Sequence, residues 1–321
     1  MAVYTDITDA DLNLLLADYD LGSALMFKGI AEGVENSNFL LETETGRYFL
    51  TIYERRVKRD ELPFFLGLLS WLADHGYPSA APVADRSGQV LKTLRGKPAA
   101  MVTFLPGLSV HRPSVQHCRE AGIGLAQLHL ASADYPGERA NDLGQAAWRP
   151  MFEGLRTQAE ALKPGLATTL DQDLAYLHDH WPRDLPHGIV HADYFPDNVF
   201  FKGTAFAGAI DFYFACRDFI AYDLAVALNA WCFEPDGSFN VTSARAMVAG
   251  YESQRPLSRQ EKSSLPILAH GAAMRFFLTR LEAWGSTPAG ALVRPKDPLE
   301  YERKLAVHRN APDLLLFGSQ P

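Results

Sequence analysis

The sequence predicts an α+β fold in two lobes, a small β-rich N-terminal lobe and a larger, mainly helical C-terminal lobe. Short apolar runs bounded by turn residues dominate the first third of the chain, and helical spacing dominates the rest. The pattern changes at Leu105-Pro106-Gly107, where proline and glycine interrupt regular structure. We therefore predict one boundary, which divides the chain into 1–105 and 106–321.

The N-terminal elements follow from local signals. Thr8 begins Thr-Asp-Ala-Asp, a capping signature, ahead of the apolar stretch 12–16. Thr45-Gly46 and Arg95-Gly96-Lys97 are turn sequences, each between two apolar runs, and they predict two hairpins. The predicted strands are 38–42 with 47–53 and 90–94 with 99–104, and a helix covers 62–72 between them. The predicted helices of the second lobe are 114–131, 170–181, 221–231, 243–251 and 265–284, with a strand-rich interruption at 188–213.

Composition limits the classes of function. The 321 residues are 47% hydrophobic and 21% charged, which suits a large core in two lobes and disfavours disorder. A net charge of −8 disfavours a nucleic-acid partner. The sequence shows neither a signal peptide nor an apolar run of membrane-spanning length, so we expect a cytoplasmic protein without a membrane partner. Cys118, Cys216 and Cys232 form no CxxC pair and predict three reduced, buried thiols. The oligomeric state is left open.

The segment 191–198, His-Ala-Asp-Tyr-Phe-Pro-Asp-Asn, carries the strongest chemical signal. It follows an apolar strand and precedes a small hairpin that ends at Asp211. If the hairpin folds back, Asp193, Asn198 and Asp211 converge. Mg²⁺ takes oxygen ligands, usually one or two carboxylates with phosphate oxygens. A remaining carboxylate can accept the proton of an attacking hydroxyl, so the set suits phosphoryl transfer.

The spacing HxDxxxxN followed by a later Asp resembles the catalytic loop and metal-binding Asp of protein kinases and their small-molecule relatives. Ile-Asp-Phe at 210–212 is similar to the aminoglycoside phosphotransferase and choline kinase superfamily. Within it, the segments 33–39, 49–54, 191–200 and 294–298 resemble the homoserine kinase family. This resemblance implies a protein-kinase-like fold, with nucleotide binding in the first lobe and catalysis and acceptor binding in the second.

The resemblance also implies roles for individual residues. Asp193 would accept the proton of the acceptor hydroxyl, and His191 would hold the loop. Asn198 and Asp211 would bind Mg²⁺. The turn 29–38 would cover the ATP phosphates, and 101–105 would be the hinge that meets adenine. The implied nucleotide-binding residues are Gly33, Glu35, Asn36, Ser37, Asn38, Thr103 and Leu105. The implied reaction is phosphorylation of L-homoserine by ATP, a step of threonine biosynthesis.

One position departs from the superfamily pattern. Thr51 stands where relatives often have a phosphate-contacting lysine in the third strand. Glu61, at the start of the next helix, would be the partner of that lysine. Either loop backbone and metal hold the phosphates, or another lysine such as Lys28 substitutes.

Homoserine carries a carboxylate and would need a cationic anchor. Arg275 and Arg280 lie in the apolar helical stretch 272–284, and we predict them as substrate-binding residues, although arginines in such helices are more often salt-bridged. Asp218 and Asp223 are expected to cap or brace the helix that begins near Ala221. An acidic amine anchor stays unassigned, with Asp218 and Glu234 as weak candidates.

Other functions remain open. Choline, ethanolamine or an aminoglycoside could be the acceptor. A metal-dependent phosphohydrolase would need further His or Asp clusters, which the sequence lacks. A catalytically inactive kinase fold that only binds ligands gains some support from Thr51.

Overall fold

The computed structural model describes residues 5–30, 36–54, 58–286 and 295–311. Its contacts divide the chain into two compact units. The first comprises Met1–Gly107, Asp134–Arg139 and Ala207–Tyr213, and the second comprises Leu108–Ala133, Ala140–Phe206 and Phe214–Pro321. The single boundary predicted from the sequence did not include the two later segments that group with the first unit.

A five-stranded antiparallel sheet forms the centre of the first unit, with the order β1-β2-β3-β5-β4. Thr8 caps the first helix with the predicted capping box. The elements are α1 (Asp9–Leu16), β1 (Ala24–Ile30), β2 (Asn36–Thr43), β3 (Gly46–Tyr53), α2 (Leu62–Asp74), β4 (Leu91–Leu94) and β5 (Lys97–Thr103).

Alternation along the central strands gives the sheet two apolar faces. Ile52 and Met101 pack in the cluster that includes Leu12 and Leu16 of α1. Their neighbours Tyr53 and Ala100 pack with α2 instead. Both predicted hairpins are present, whereas strand β1 was not predicted.

The second unit is mainly helical. Its helices are α3 (Val115–Ala131), α4 (Gln145–Leu162), α5 (Leu166–His180), α6 (Ile220–Trp231), α7 (Val241–Glu252), α8 (Arg259–Ser286) and α9 (Pro298–Asn310). Its strands are β6 (His187–Val190), which pairs with β9 (Cys216–Phe219), and β7 (Val199–Lys202), which pairs with β8 (Ala205–Ala209). Helices α4 and α9 were not predicted from the sequence. None of the described helices is long and apolar enough to cross a membrane.

Helices α3 and α7 approach closely because each contributes a glycine at the contact. A Cβ on Gly122 would lie 2.1 Å from the carbonyl oxygen of Met247, and a Cβ on Gly250 would lie 2.1 Å from that of Arg119. The described cysteines, Cys118, Cys216 and Cys232, are buried and form no disulfide bond, as predicted.

Candidate active site

Asp193 and Asn198 contact each other across the loop between β6 and β7. The amide nitrogen of Asn198 donates to the backbone oxygen of Asp193 at 2.9 Å and to its Oδ2 at 3.1 Å. The short 3₁₀ turn Pro196–Asn198 brings the two residues together, since the N–H of Asn198 donates to the carbonyl oxygen of Phe195 at 2.9 Å. The loop therefore presents a carboxylate and an amide side by side.

The amide of Asn198 is oriented so that both of its contacts to Asp193 use nitrogen. Its Oδ1 accepts no hydrogen bond from the residues that the structure describes. An amide oxygen of this kind is a ligand that Mg²⁺ accepts beside phosphate oxygens. The donor set thus fits the ion that the resemblance implies. Within the described ranges, no three His, Cys, Asp or Glu side chains cluster as a metal site.

Asp211, the other predicted metal ligand, follows β8 in the segment Ala207–Tyr213 of the first unit. Its φ of 63° lies in the left-handed region, which a non-glycine residue occupies at a cost. Backbone of this kind is frequent where a side chain must be aimed at a functional site. The metal role of Asp211 stays a prediction.

Asp223 of α6 holds the start of the loop 191–198. Its Oδ2 accepts the N–H of His191 at 2.6 Å, and its Oδ1 accepts the N–H of Ala192 at 2.8 Å. The carboxyl is fully buried, and burial alone would raise its pKa. Hydrogen bonds and charge from His129 and His191 outweigh burial, and the pKa lies below its usual value. Asp223 does not cap α6, whose N-terminus has no side-chain cap; its carboxylate instead ties the helix to the loop.

A buried chain of polar groups continues behind Asp223. Nε2 of His129 lies 3.0 Å from Oδ2 of Asp223, and its Nδ1 lies 2.7 Å from the hydroxyl of Tyr251. Helices α3, α6 and α7 are thereby tied to the loop. The sequence offered one signal for this contact: Asp223 is an acidic residue within an otherwise apolar helix, and such a charge needs a partner.

Ala192, between His191 and Asp193, also has a left-handed backbone, with φ of 61°. Its N–H is held by Asp223, and its carbonyl oxygen accepts a hydrogen bond from Nη1 of Arg275. A left-handed residue costs about 1–2 kcal/mol. Two charged side chains therefore fix a strained residue directly before the predicted base.

His191 is fully buried, and its Nδ1 accepts the N–H of Asp193 at 3.3 Å. The ring lies edge-on to Tyr194, with 5.6 Å between centroids. The carbonyl oxygen of Tyr194 in turn accepts the indole N–H of Trp231 at 2.8 Å. His191 thus supports the loop from within.

The two predicted substrate arginines are both buried in α8. Arg275 is 2% exposed, contacts Ala192 and lies 4.4 Å over the ring of Phe276. Arg280 is 9% exposed, and its Nη1 lies 2.6 Å from Oε2 of Glu300. Both guanidinium groups already bind protein oxygens. Their role as carboxylate anchors stays a prediction.

Part of the predicted phosphate turn is described. Gly33 and Glu35 lie outside the described residues, whereas Asn36, Ser37 and Asn38 begin β2. Ser37 is fully buried, and its hydroxyl donates to Oε1 of Glu54 at 2.6 Å. That side chain is committed to the fold, so any phosphate contact from Ser37 would come from its backbone.

Thr51 occupies the lysine position in β3. It is 7% exposed, and its hydroxyl donates to Oδ1 of Asn38 at 2.9 Å. Glu61 has cationic partners of its own, because Nη2 of Arg139 lies 3.2 Å and Nζ of Lys58 lies 3.5 Å from its carboxylate. Glu61 is therefore paired with cations outside β3, and its correspondence to the lysine partner of relatives stays a prediction.

The predicted adenine hinge lies at the end of β5. The N–H of Thr103 donates to the carbonyl oxygen of Ala81 at 2.8 Å, and its hydroxyl accepts the N–H of Ala81 at 3.0 Å. The N–H of Leu105 has no acceptor in the part of the chain that the structure describes. Leu105 therefore offers a backbone donor for a base, whereas the N–H and hydroxyl of Thr103 are already used.

Comparison with known proteins confirms the resemblance. Residues 27–257 match the model of the phosphotransferase enzyme family. The chain is 70% identical over 319 residues to a homoserine kinase of Phenylobacterium zucineum (strain HLK1), with 99% of each chain covered. It is 71% identical over 320 residues to a homoserine kinase of Caulobacter sp. (strain K31), again with 99% of each covered.

Solved structures confirm the fold. An aminoglycoside phosphotransferase from Alicyclobacillus acidocaldarius superimposes with a TM-score of 0.67 at 16% identity, covering 97% of this chain and 95% of that one. An amicoumacin kinase in complex with AMP-PNP, Ca²⁺ and Ami superimposes with a TM-score of 0.66 at 17% identity, covering 96% of this chain and 93% of that one. The chain therefore has the predicted protein-kinase-like fold and belongs to the phosphotransferase enzyme family, in the group formed by the homoserine kinases.

Proposed function

We propose that this chain transfers the γ-phosphate of ATP to the side-chain hydroxyl of L-homoserine, in the cytoplasm. The observation that carries the proposal is the 70–71% identity, over 99% of the chain, to relatives named homoserine kinase. The product would be O-phosphohomoserine, the precursor that the resemblance assigns to threonine biosynthesis.

The loop geometry supports a general base at Asp193. Its carboxylate accepts a hydrogen bond from Nδ2 of Asn198, which keeps the carboxylate oriented. In this arrangement Asp193 accepts the proton of the acceptor hydroxyl as the hydroxyl oxygen attacks the γ-phosphorus. The bond from that phosphorus to the bridging oxygen of ADP breaks. Backbone contacts from Asp223 and His191 hold the base in position.

Mg²⁺ supplies neutralisation of the phosphate charge when it is bound. Asn198 and Asp211 would hold it, as the resemblance implies. The fit of the free Asn198 oxygen supports this assignment. The N–H of Leu105 would meet the adenine ring.

The test is an assay of ATP consumption with L-homoserine, choline, ethanolamine, methylthioribose and an aminoglycoside as acceptors. We expect homoserine to give the highest kcat/KM and EDTA to abolish turnover. Asp193→Asn should lower kcat by about 10²–10⁴-fold. Asp197→Asn is the matched control, because its exposed carboxylate lies in the same loop and contacts only Lys296, at 3.6 Å, among the described residues.

A choline or aminoglycoside preference would contradict the acceptor assignment and leave the kinase assignment intact. Near-normal kcat in Asp193→Asn would contradict the base. Turnover that persists in excess EDTA would contradict the metal role.

A further inference from the structure

A pocket of about 630 Å³ lies within the second unit. Its volume is within the range of about 300–1,000 Å³ usual for small-molecule sites. Four stretches line it: the segment before α3, the end of α6 with the turn that follows it, Ser243 of α7, and the first turns of α9.

Two of the segments that line the pocket contact the loop 191–198. Trp231 lines it and donates its indole N–H to Tyr194, the residue directly after Asp193, at 2.8 Å. Asp297 also lines it, and the preceding Lys296 lies 3.6 Å from Asp197 of the loop. A molecule in this pocket would therefore lie beside the loop that carries the predicted base.

The pocket wall contains one set of charges that neutralise each other. Nζ of Lys304 lies 2.9 Å from Oε1 of Glu300, and Nη1 of Arg280 lies 2.6 Å from Oε2 of Glu300. Burial raises the pKa of Glu300, but these two cations outweigh it and lower that pKa to about 2. Glu300 is thus ionised and already paired, so it is a poor partner for a ligand cation.

A second set of charges on the same wall has no such partner. Within the described ranges, neither Arg112 nor Arg303 has a carboxylate at ion-pair distance, and Glu234 has no cation. Among the described residues, the carboxylate of Glu234 accepts a hydrogen bond only from Nδ2 of Asn240, at 2.6 Å. Lys304 has three N–H donors and uses two, one to Glu300 and one to the carbonyl oxygen of Asn229 at 2.9 Å.

The turn after α6 brings opposite charges together. The N–H of Gly237 donates to the carbonyl oxygen of Glu234 at 2.9 Å, and Gly237 adopts a φ of 87° that favours glycine. The side chain of Arg303 packs against this turn, and its Cδ would lie 3.5 Å from a Cβ on Gly237. A carboxylate and a guanidinium, each without an ionic partner among the described residues, therefore line the same pocket.

We propose that this pocket holds the amino-acid end of the acceptor, with Glu234 binding the ammonium and Arg303 binding the carboxylate. The unused N–H of Lys304 is a second donor for the carboxylate. The inference rests on the proposed function, since it assumes a zwitterionic acceptor. Arg303 would then be the residue that favours homoserine over amino alcohols, which have no carboxylate. This assignment competes with the one that uses Arg275.

Truncated acceptors test each charge separately. 3-Aminopropan-1-ol is homoserine without its carboxylate, and 4-hydroxybutyrate is homoserine without its ammonium. The variants are Arg303→Leu, Glu234→Gln and, as a matched control, Arg245→Leu, an exposed arginine on α7 outside the pocket. For each one, kcat/KM is measured with all three acceptors, or Ki against homoserine where turnover is slow, together with the KM for ATP.

Arg303→Leu should lower kcat/KM for homoserine by about 10–100-fold, the usual effect of a charged hydrogen bond, and leave 3-aminopropan-1-ol unchanged. Glu234→Gln should lower the value for homoserine and leave 4-hydroxybutyrate unchanged. The KM for ATP and the control should not change.

If a variant lowers kcat/KM equally for homoserine and for the analogue that lacks the group it would bind, the effect is structural and the inference is overturned. Homoserine turnover that neither variant changes would also overturn the pocket assignment while the proposed function stands. If the wild-type chain phosphorylates 3-aminopropan-1-ol but not homoserine, the proposed function fails together with the inference.

Discussion

Asp223→Asn is the substitution that tests most directly how the fold supports the loop. The side chain keeps its shape, but one carboxylate oxygen becomes an amide that donates instead of accepting. The two oxygens of Asp223 face backbone N–H groups, of His191 at 2.6 Å and of Ala192 at 2.8 Å. One of these buried donors must therefore face another donor in the variant.

The cost can be worked from these contacts. A buried donor left without its acceptor costs about 1–3 kcal/mol, and hydrogen bonds to a charged group are worth about 1.5–3 kcal/mol. These two effects overlap and do not add in full, so we expect Asp223→Asn to lower the free energy of unfolding by about 3 kcal/mol. This value is at the lower end of the range for breaking a buried ion pair. For a folding unit of about 200 residues this corresponds to a fall in Tm of about 6–12 °C.

The loop should also lose its alignment. Ala192 would keep its strained backbone with only the contact from Arg275. Small displacements of a catalytic group can cost up to about 10²-fold in rate, so we expect kcat to fall about 10–100-fold, while the KM for ATP changes little. Circular dichroism melting and the homoserine-dependent consumption of ATP measure the two effects.

Asp184→Asn is the matched control. Its carboxylate is exposed and makes no hydrogen bond or ion pair with the residues that the structure describes, so the expected change in stability lies within about 0.5 kcal/mol. A Tm within about 2 °C of wild type and an unchanged kcat in Asp223→Asn would refute the reasoning.

Three further outcomes follow from the structure. Gly250→Ala should destabilise the protein by about 3 kcal/mol or more, because the new Cβ would lie 2.1 Å from a carbonyl oxygen of α3. Gly154→Ala should stabilise the protein by about 0.5–1 kcal/mol, because its Cβ would meet nothing within 4 Å. Urea unfolding measures the free energy of unfolding of both variants. Lys97→Met should cost about 1–3 kcal/mol at pH 7, because Lys97 is the cation of the nearly buried Glu54. Burial raises the pKa of Glu54, but hydrogen bonds from Lys97 and two hydroxyls outweigh burial, and the pKa lies below its usual value. The wild-type protein therefore loses the stability that ionised Glu54 contributes as the pH falls below about 4.3. The free energy of unfolding of Lys97→Met should depend less steeply on pH in the acid range. Thr51→Ala should leave the KM for ATP within about tenfold, since a hydroxyl cannot replace a lysine charge; a larger rise would give Thr51 a nucleotide contact.

Local patterns were sufficient for much of the fold. The capping box at Thr8 and the two hairpins were predicted because their signals lie within a few residues of each other. Helix α4 was missed, since its long polar face and Pro150 obscure the apolar spacing. Strand β1 was missed because its burial does not alternate clearly along the chain.

The order of residues by itself determined the reaction class, because Asp193 and Asn198 lie five positions apart on one loop, at a spacing that few other functions require. Only the tertiary structure decided what supports that loop. The contacts of Asp223 with the loop span 31 and 32 positions, and that of Arg275 spans 83. The wall of the proposed acceptor pocket likewise joins Arg112, Glu234 and Arg303 from three distant segments. No local pattern records such pairings, because burial and charge complementarity act between side chains that meet only after the helices have packed.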